Sequence, residues 1–134
     1  KNISHAACGA LHSLAVSEDG RVFSWGLGLY GNLGHGDRET QWFPKEISAF
    51  GGLYGVRNVR VAAGIWHSMI LNDLGDVYCC GRNDDGQIGS KEIKSATFLP
   101  SLVEFPPDII IVDIAAGARH SLAQTSTGDI YGWG

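Results

Sequence analysis

The stretch AACGALHSLAVSEDGRVFSWG, residues 6–26, occurs in this chain in three related copies. AAGIWHSMILNDLGDVYCCG (62–81) and AAGARHSLAQTSTGDIYGWG (115–134) keep its central glycine, its His-Ser pair and its closing glycine. The histidines of the copies, His12, His67 and His120, lie 55 and 53 residues apart. Self-similarity at a nearly fixed period of this length is typical of a repeat architecture, in which each copy is one structural unit.

Each copy has the pattern of short β-strands joined by tight turns. In the first copy, the runs HSLAV (12–16) and RVFSW (21–25) flank SEDG, a hairpin signal that ends in Asp19-Gly20. Further apolar runs lie at 58–63, 109–116, 42–47 and 98–105. Pro44 and Pro100 in the last two runs favour edge strands, because proline cannot donate to a sheet ladder. We therefore predict an all-β fold made of β-propeller blades, each with four antiparallel strands.

The glycine-rich stretch SWGLGLYGNLGHG (24–36) also fits the dinucleotide-binding pattern G-x-G-x-x-G through Gly26, Gly28 and Gly31. The aligned second copy, CGRNDDGQIG (80–89), has Asn83 in place of Gly28. That middle glycine lets the backbone approach a pyrophosphate, and a helix must follow it. Because the repeat does not keep it, we predict turns here and no cofactor, and we expect Gly28 to tolerate alanine better than Gly26 or Gly31.

Length, charge and cysteine content narrow the class of protein. At 134 residues, the chain has the size of one domain or of a piece of a larger one. Its net charge of −4, without a basic run, makes nucleic-acid binding an unfavoured function, and no apolar run is long enough to cross a membrane. Three cysteines, two of them adjacent, favour a reducing intracellular setting, either cytoplasm or nucleus.

The repeated signature is AAG-x-x-H-S, then G-x-V/I-x-x-W/C-G, then G-N/Q-L/I-G. It resembles the regulator of chromosome condensation repeat, whose blades form seven-bladed propellers, and about two and a half copies are present. The resemblance implies that residues 1–134 are part of one propeller domain, with blades at 3–57 and 58–108 and a half blade at 109–134. We therefore expect a partial propeller that belongs to a larger protein or assembly, because repeats bury their faces against neighbouring repeats.

The repeated histidines predict neither a metal site nor a catalytic site. Equivalent positions in separate blades do not converge on one metal ion. Ser13, Ser68 and Ser121 each follow a histidine, but neighbouring side chains on a strand point to opposite faces. We expect each imidazole to bond to backbone within its own blade, and we predict no catalytic residue. The same alternation predicts one inward and one outward thiol at Cys79 and Cys80.

Candidate partner-binding residues lie where the copies vary inside the constant frame. The pairs between the central glycine and the histidine are Ala10-Leu11, Ile65-Trp66 and Ala118-Arg119. Propellers bind partners through loops of this kind, and Trp and Arg are frequent interface hot spots. We therefore select Leu11, Trp66 and Arg119 as partner-binding candidates, with local packing as the alternative. In the connection 35–58, Trp42, Phe50 and Tyr54 are predicted either to form a further interaction surface or to close the outer blade edge.

The function predicted from these patterns is that of a protein-interaction scaffold without enzymatic activity of its own. The alternative is guanine nucleotide exchange on a small GTPase, which the resemblance implies because the founding family member performs it. Exchange requires a specific face and wedge built from several blades, and no single stretch of these residues identifies them.

Overall fold

The computed structural model describes residues 2–50, 56–93 and 95–134, which form three antiparallel sheets. Blade 1 contains β1 (Ile3–Cys8), β2 (His12–Ser17), β3 (Val22–Gly26) and β4 (Gln41–Glu46). Blade 2 contains β5 (Asn58–Ala63), β6 (His67–Asn72), β7 (Val77–Arg82) and β8 (Ala96–Leu102). Blade 3 contains β9 (Ile111–Ala116), β10 (Ser121–Thr125) and β11 (Ile130–Trp133), and a short 3₁₀ turn spans Ser48–Phe50. The predicted all-β architecture of four-stranded blades is confirmed.

Strands follow one another within each sheet in chain order, so each blade is a meander. Pro44 and Pro100 lie on β4 and β8, which are edge strands as predicted. No helix within the described parts of the chain has the length and apolarity needed to span a membrane.

Both outer strands bulge at the same place. In blade 1, Ser24 faces Lys45 and Gly26 faces Gln41, so three residues of β3 oppose five of β4. In blade 2, Cys79 faces Ser101 and Gly81 faces Thr97, with the same mismatch. The extra residues bend the outer strand away from its sheet, because they cannot join the ladder. The bulges therefore carry residues 42–44 and 98–100 outward.

The core lies between the sheets. Blades 1 and 2 enclose one apolar cluster, made of Leu14, Val16, Val22, Ile47, Val61 and Ile70. Blades 2 and 3 enclose a second, made of Ala62, Met69, Leu71, Val77, Cys79, Ile88, Val103, Ile111 and Ala123. Because blade 2 is covered on both faces, every residue of β6 is buried. Each large side chain so buried contributes about 1.5–3 kcal/mol to stability, so adjacent blades hold each other in place.

The prediction of one inward and one outward thiol on β7 was wrong. Cys79 and Cys80 do point to opposite faces of the strand, but both are fully buried because each face packs against another blade. Burial raises the pKa of Cys80 to about 12, and burial together with the neighbouring Cys80 raises the pKa of Cys79. Two thiols held protonated in the core are poor nucleophiles.

Candidate interaction surface

Leu11, Trp66 and Arg119, called the row residues below, occupy the same backbone position in three blades. Each lies in the turn between the first and second strands of its blade. The carbonyl oxygen of Leu11 accepts a hydrogen bond from Leu27 N at 3.0 Å, and that of Trp66 accepts one from Arg82 N at 2.8 Å. The turn is therefore fixed to the end of the third strand while the side chain of the row residue stays free to vary.

A glycine with positive φ lies against the backbone carbonyl of each row residue. These glycines are Gly26 (φ 109°), Gly81 (φ 113°) and Gly134 (φ 102°). A Cβ at these glycines would lie 2.6, 2.2 and 2.6 Å from the carbonyl oxygens of Leu11, Trp66 and Arg119. Glycine is required because any side chain would both adopt an unfavourable φ and collide with that oxygen.

Backbone hydrogen bonds join the turns of neighbouring blades. Ala10 N donates to Gly64 O at 3.4 Å, and Ile65 N donates to Ala118 O at 3.1 Å. The three turns consequently stand side by side, and the row residues lie along one side of the molecule. The opposite side carries the hairpins between the second and third strands, since each strand of a meander reverses direction.

Trp66 is half-buried because the loop of blade 1 reaches over it. The ring of Tyr30 meets the indole edge-on, with 4.9 Å between the ring centroids. The guanidinium of Arg82 lies 5.5 Å from the centre of the Tyr30 ring, and its Nε is 3.0 Å from a carboxylate oxygen of Asp84. Such aromatic contacts are worth about 0.5–1.5 kcal/mol beyond the buried area, so they give Trp66 a defined orientation.

Arg119 is exposed and lines an open depression of about 320 Å³ together with Asp85. Asp85 immediately precedes Gly86, and Tyr30 holds the same position before Gly31 in blade 1. The residue before the loop glycine of one blade therefore lies near the row residue of the next blade. In one case the two are aromatic rings in contact, and in the other they are oppositely charged residues that line one depression.

Sequence reasoning missed Tyr30, Arg82 and Asp85. The signal was available in the aligned loops GLGLYG (26–31) and GRNDDG (81–86), which differ at these positions inside a constant glycine frame. Their contact with the following blade could not be inferred from one copy alone, because it joins residues 34 or more positions apart.

His12 and His67 bond across the blade boundary, so the prediction of a bond to backbone within each blade was wrong for these two histidines. His12 Nε2 lies 2.8 Å from Ser68 Oγ, and His67 Nε2 lies 3.0 Å from Ser121 Oγ. Ser68 Oγ donates to Asn32 O at 2.6 Å, and Ser121 Oγ donates in the same way to a loop carbonyl of blade 2. Strand alternation explains this, since it turns each histidine toward the next blade and the adjacent serine toward the previous one.

This arrangement assigns the histidine tautomer. Because each serine proton goes to a carbonyl, Nε2 of His12 and of His67 must carry hydrogen and donate to the serine oxygen. Nδ1 of both rings is buried without a hydrogen-bond partner among the described residues. Burial lowers the pKa of each of these two histidines to about 4, so both are neutral near pH 7.

The His-Ser contacts at the blade boundaries do not have the chemistry of a hydrolase. Ser68 and Ser121 are completely buried, and their hydroxyl protons are bound to carbonyl oxygens rather than to an imidazole base. A serine nucleophile needs the opposite polarity, with its proton directed to the histidine and its oxygen open to substrate. Among residues 2–50, 56–93 and 95–134, no three His, Cys, Asp or Glu side chains are grouped to hold a metal ion.

The described geometry agrees with a comparison against known families. The model of the regulator of chromosome condensation (RCC1) repeat matches residues 19–71 and 75–124. The chain belongs to the RCC1 repeat family. A second model of the same repeat matches residues 3–32 and 59–87. The unit 19–71 begins in the hairpin of blade 1 and ends on β6 of blade 2. The repeat defined by sequence therefore contains parts of two sheets and does not coincide with one blade.

Relatives of known identity match this RCC1 region over nearly its whole length. The ultraviolet-B receptor UVR8 of Arabidopsis thaliana is 37% identical over 98% of the chain and 29% of its own length. Human E3 ubiquitin-protein ligase HERC2 is 33% identical over 100% of the chain and 3% of its own length. The structure of Prp20p from Saccharomyces cerevisiae superposes with a TM-score of 0.83 at 30% identity, covering 100% of this chain and 33% of that one. The chain thus spans a third or less of each of these relatives.

Proposed function

We propose that this chain is part of an RCC1-type propeller that acts as a protein-interaction scaffold, and that the side carrying Leu11, Trp66 and Arg119 binds a protein partner. The proposal rests on one observation: the backbone of these turns is the same in successive blades, whereas the side chain of the row residue differs. The turns are held alike in successive blades by the same backbone bonds. The side chains that they present nevertheless change from aliphatic to aromatic to cationic.

The proposed surface changes in character along the row. Leu11 is 41% exposed, and the loop of blade 1 adds Leu29 with 54% exposure. Trp66 follows with Tyr30 and Arg82, a combination of aromatic and guanidinium groups that is typical of interface hot spots. The last position is charged, with Arg119 beside Asp85. A partner that fits has an apolar segment next to a segment with both donors and acceptors.

The relatives support a protein partner in general terms. Prp20p was characterised both by its crystal structure and by its binding to Gsp1p and histones. Another crystal structure shows Kap60 bound to yeast RCC1. These are statements about those proteins. We extend to this chain only the proposal that its partner is a protein.

Nucleotide exchange on a small GTPase is the alternative function, and it rests on the resemblance to the RCC1 repeat family. No contact described above distinguishes an exchange wedge from any other interaction loop, so we rank the scaffold first. Human HERC2 is a ubiquitin-protein ligase, but it is matched over only 3% of its own length. We propose no catalytic role for the present segment, because the serine of each His-Ser contact already donates its proton to a backbone carbonyl at the boundary between blades.

The test is partner capture by the full-length protein with single substitutions on the row. Trp66→Ala and Arg119→Ala should each weaken binding of the captured partner, by about 2 kcal/mol or more where the residue is central. Leu74→Ala is the matched control, since Leu74 is 59% exposed in the hairpin on the opposite side of blade 2.

Stability is measured beside binding in each variant. Arg119 is exposed, so its loss should change the free energy of unfolding by no more than about 0.5 kcal/mol. Trp66→Phe keeps an aromatic ring against Tyr30 and separates binding from folding at that position. Retention of all partners by variants with lowered stability would mean that the row residues serve packing, and the assignment would fail.

A further inference from the structure

Two aromatic residues on the outer edge of blade 1 are exposed to an unusual degree. Trp42 is 80% exposed and Phe43 is 79% exposed. They lie on the bulge of β4, which directs both residues away from their own sheet. Taken alone, such a pair is typical of an interaction surface, which the sequence predicted for Trp42 together with Phe50 and Tyr54; Tyr54 lies outside the described residues.

The repeat supplies a counterpart for each residue of this bulge. Gln41 pairs with Gly26 as Thr97 pairs with Gly81, and Lys45 and Ser101 close the two bulges at equivalent places. Three residues lie between these points in both blades. Trp42 is therefore the equivalent of Phe98, Phe43 of Leu99, and Pro44 of Pro100.

Phe98 shows what this position does when a neighbouring blade is present. Its ring lies directly on Gly31 in the loop of blade 1, where a Cβ would come within 2.1 Å of Phe98 Cδ1. Its carbonyl oxygen accepts a hydrogen bond from Gly36 N at 2.8 Å. The guanidinium of Arg38 lies 5.2 Å from the centre of the same ring. The bulge of blade 2 is thus docked on the glycine loop of blade 1.

The loop that receives Phe98 is also a repeated feature. Gly31 has a φ of 75°, and its counterpart Gly86 in blade 2 has a φ of 81°. Phe98 covers Gly31, whereas the nearest atoms to a Cβ at Gly86 are backbone atoms of Gly134, 3.7 Å away. The two loops therefore have the same conformation at this glycine, so the receiving surface is a property of the repeated loop.

We propose that Trp42, with Phe43 and Pro44, docks on the glycine loop of a further RCC1-type blade of the same polypeptide, packed on the face of blade 1 that is turned away from blade 2. The loop that it contacts has a positive-φ glycine at the position of Gly31. The indole covers that glycine as Phe98 covers Gly31. This assigns Trp42 to a seam between blades and separates it from the partner-binding row, so the inference does not depend on the proposed function.

The experiment compares Trp42 with Phe98 in the full-length protein. Trp42→Ala should lower the melting temperature by an amount comparable to Phe98→Ala, because both remove a ring from the same kind of joint. Trp42→Phe should retain the wild-type value, since phenylalanine already fills the equivalent joint in blade 2. Lys45→Ala is the control on the same strand, as Lys45 is exposed beyond the bulge.

A fluorescence measurement keeps the proposal testable if Trp42→Ala does not fold. The difference in acrylamide quenching between wild type and Trp42→Phe reports on Trp42 alone, and we expect a protected indole. A quencher-accessible Trp42, or an unchanged melting temperature for Trp42→Ala beside a lowered one for Phe98→Ala, would overturn the proposal. So would dissociation of an oligomer in Trp42→Ala, which would mean that a second copy covers the ring.

Discussion

The serine that follows each repeated histidine is the hydrogen-bond junction between two blades. Ser68 accepts from His12 of blade 1 and donates to Asn32 O in the loop of the same blade. All three groups are buried, so none can exchange its partner for water. A buried polar group that loses its hydrogen-bond partner costs about 1–3 kcal/mol of stability. The Ser68 hydroxyl is the partner of two such groups.

Ser68→Ala should therefore lower the free energy of unfolding by about 2–4 kcal/mol, because the His12 N–H loses its acceptor and the Asn32 carbonyl loses its hydroxyl donor. Urea denaturation of the full-length protein measures the change. Ser126→Ala, which removes an exposed hydroxyl, is the matched control. A Ser68→Ala protein as stable as this control would show that the junction does not hold the blades together.

The buried histidines predict a loss of stability in mild acid. The pKa of His12 and of His67 is about 4 in the folded protein and about 6.5 in an unfolded chain. Below pH 6.5, these two histidines bind protons in the unfolded state but not in the folded state, so the free energy of unfolding falls as pH falls toward 4. The slope reaches about 1.4 kcal/mol per pH unit for each histidine. Half-buried His35, whose pKa burial also lowers, adds a contribution of the same sign.

Denaturation series at pH 7.5 and at intervals from 6.5 to 5 measure this slope above the range in which most carboxylates titrate. In His67→Gln, an amide N–H can still donate to Ser121 while the titrating group is gone. This variant should have a shallower slope than the wild type. Equal slopes in the two proteins would assign the acid sensitivity to other groups.

The vicinal thiols provide a further prediction. Cys79 and Cys80 are fully buried with raised pKa values, so both should resist a thiol reagent such as DTNB in the native state and react after unfolding in guanidinium. Cys79→Ala and Cys80→Ala identify which signal belongs to which thiol. Fast native labelling of either one would mean that a blade boundary opens readily.

At the scale of elements, the bulge of one blade and the glycine loop of the blade before it form a single joint. Alanine at Gly31 would have to adopt a φ of 75° and displace Phe98. Alanine at Gly36 would adopt a φ of 88°, and its nearest neighbour, Leu99 Cδ2, would lie at an ordinary contact distance of 3.4 Å. The two glycines share the conformational cost, and only Gly31 adds a collision.

Gly36→Ala should consequently cost about 1–2 kcal/mol, the usual penalty for a left-handed residue, and Gly31→Ala should cost clearly more. Thermal or urea unfolding of both variants checks the order. Gly28→Ala belongs in the same series: Gly28 has no positive φ, but its Cβ would lie 2.6 Å from Glu39 O. The expectation that it is more tolerant than Gly31 remains a prediction.

The strands could be predicted from sequence, and their mutual contacts could not. Alternating apolar residues, the Asp19-Gly20 turn and Pro44 on an edge strand are local signals, and each corresponds to the observed element. The bulge of β4 depends on a register mismatch with β3, which no local pattern expresses. Tyr30 on Trp66 and His12 on Ser68 join different blades, so only the packing of whole sheets reveals them.

At the scale of the molecule, the two described boundaries use equivalent positions with side chains of different size. Trp133 Nε1 of blade 3 donates to Gln87 O at 3.0 Å, where Cys80 Sγ of blade 2 approaches Asn32 O at 3.5 Å. The smaller thiol stands near Ile47 across Gly34, while the larger indole stands near Val103 across Gly89.

Each boundary should therefore act as an independent unit of stability, as in other repeat proteins. Ser68 and Ser121 belong to different boundaries and share no hydrogen-bond partner. The free-energy losses of Ser68→Ala and Ser121→Ala should add in the double variant to within about 0.5 kcal/mol. His12→Ala and Ser68→Ala belong to one junction, so this pair should not be additive.

The boundary chemistry is split between the two faces of each blade. One face of blade 2 presents Ser68 to the previous blade, and the other presents His67 and Gln87 O to the next. A gene segment that encodes one blade thus encodes both halves of the coupling. Tandem duplication of such a segment inserts a unit whose two sides already match their new neighbours, so recombination can change the number of units without first inventing a new interface.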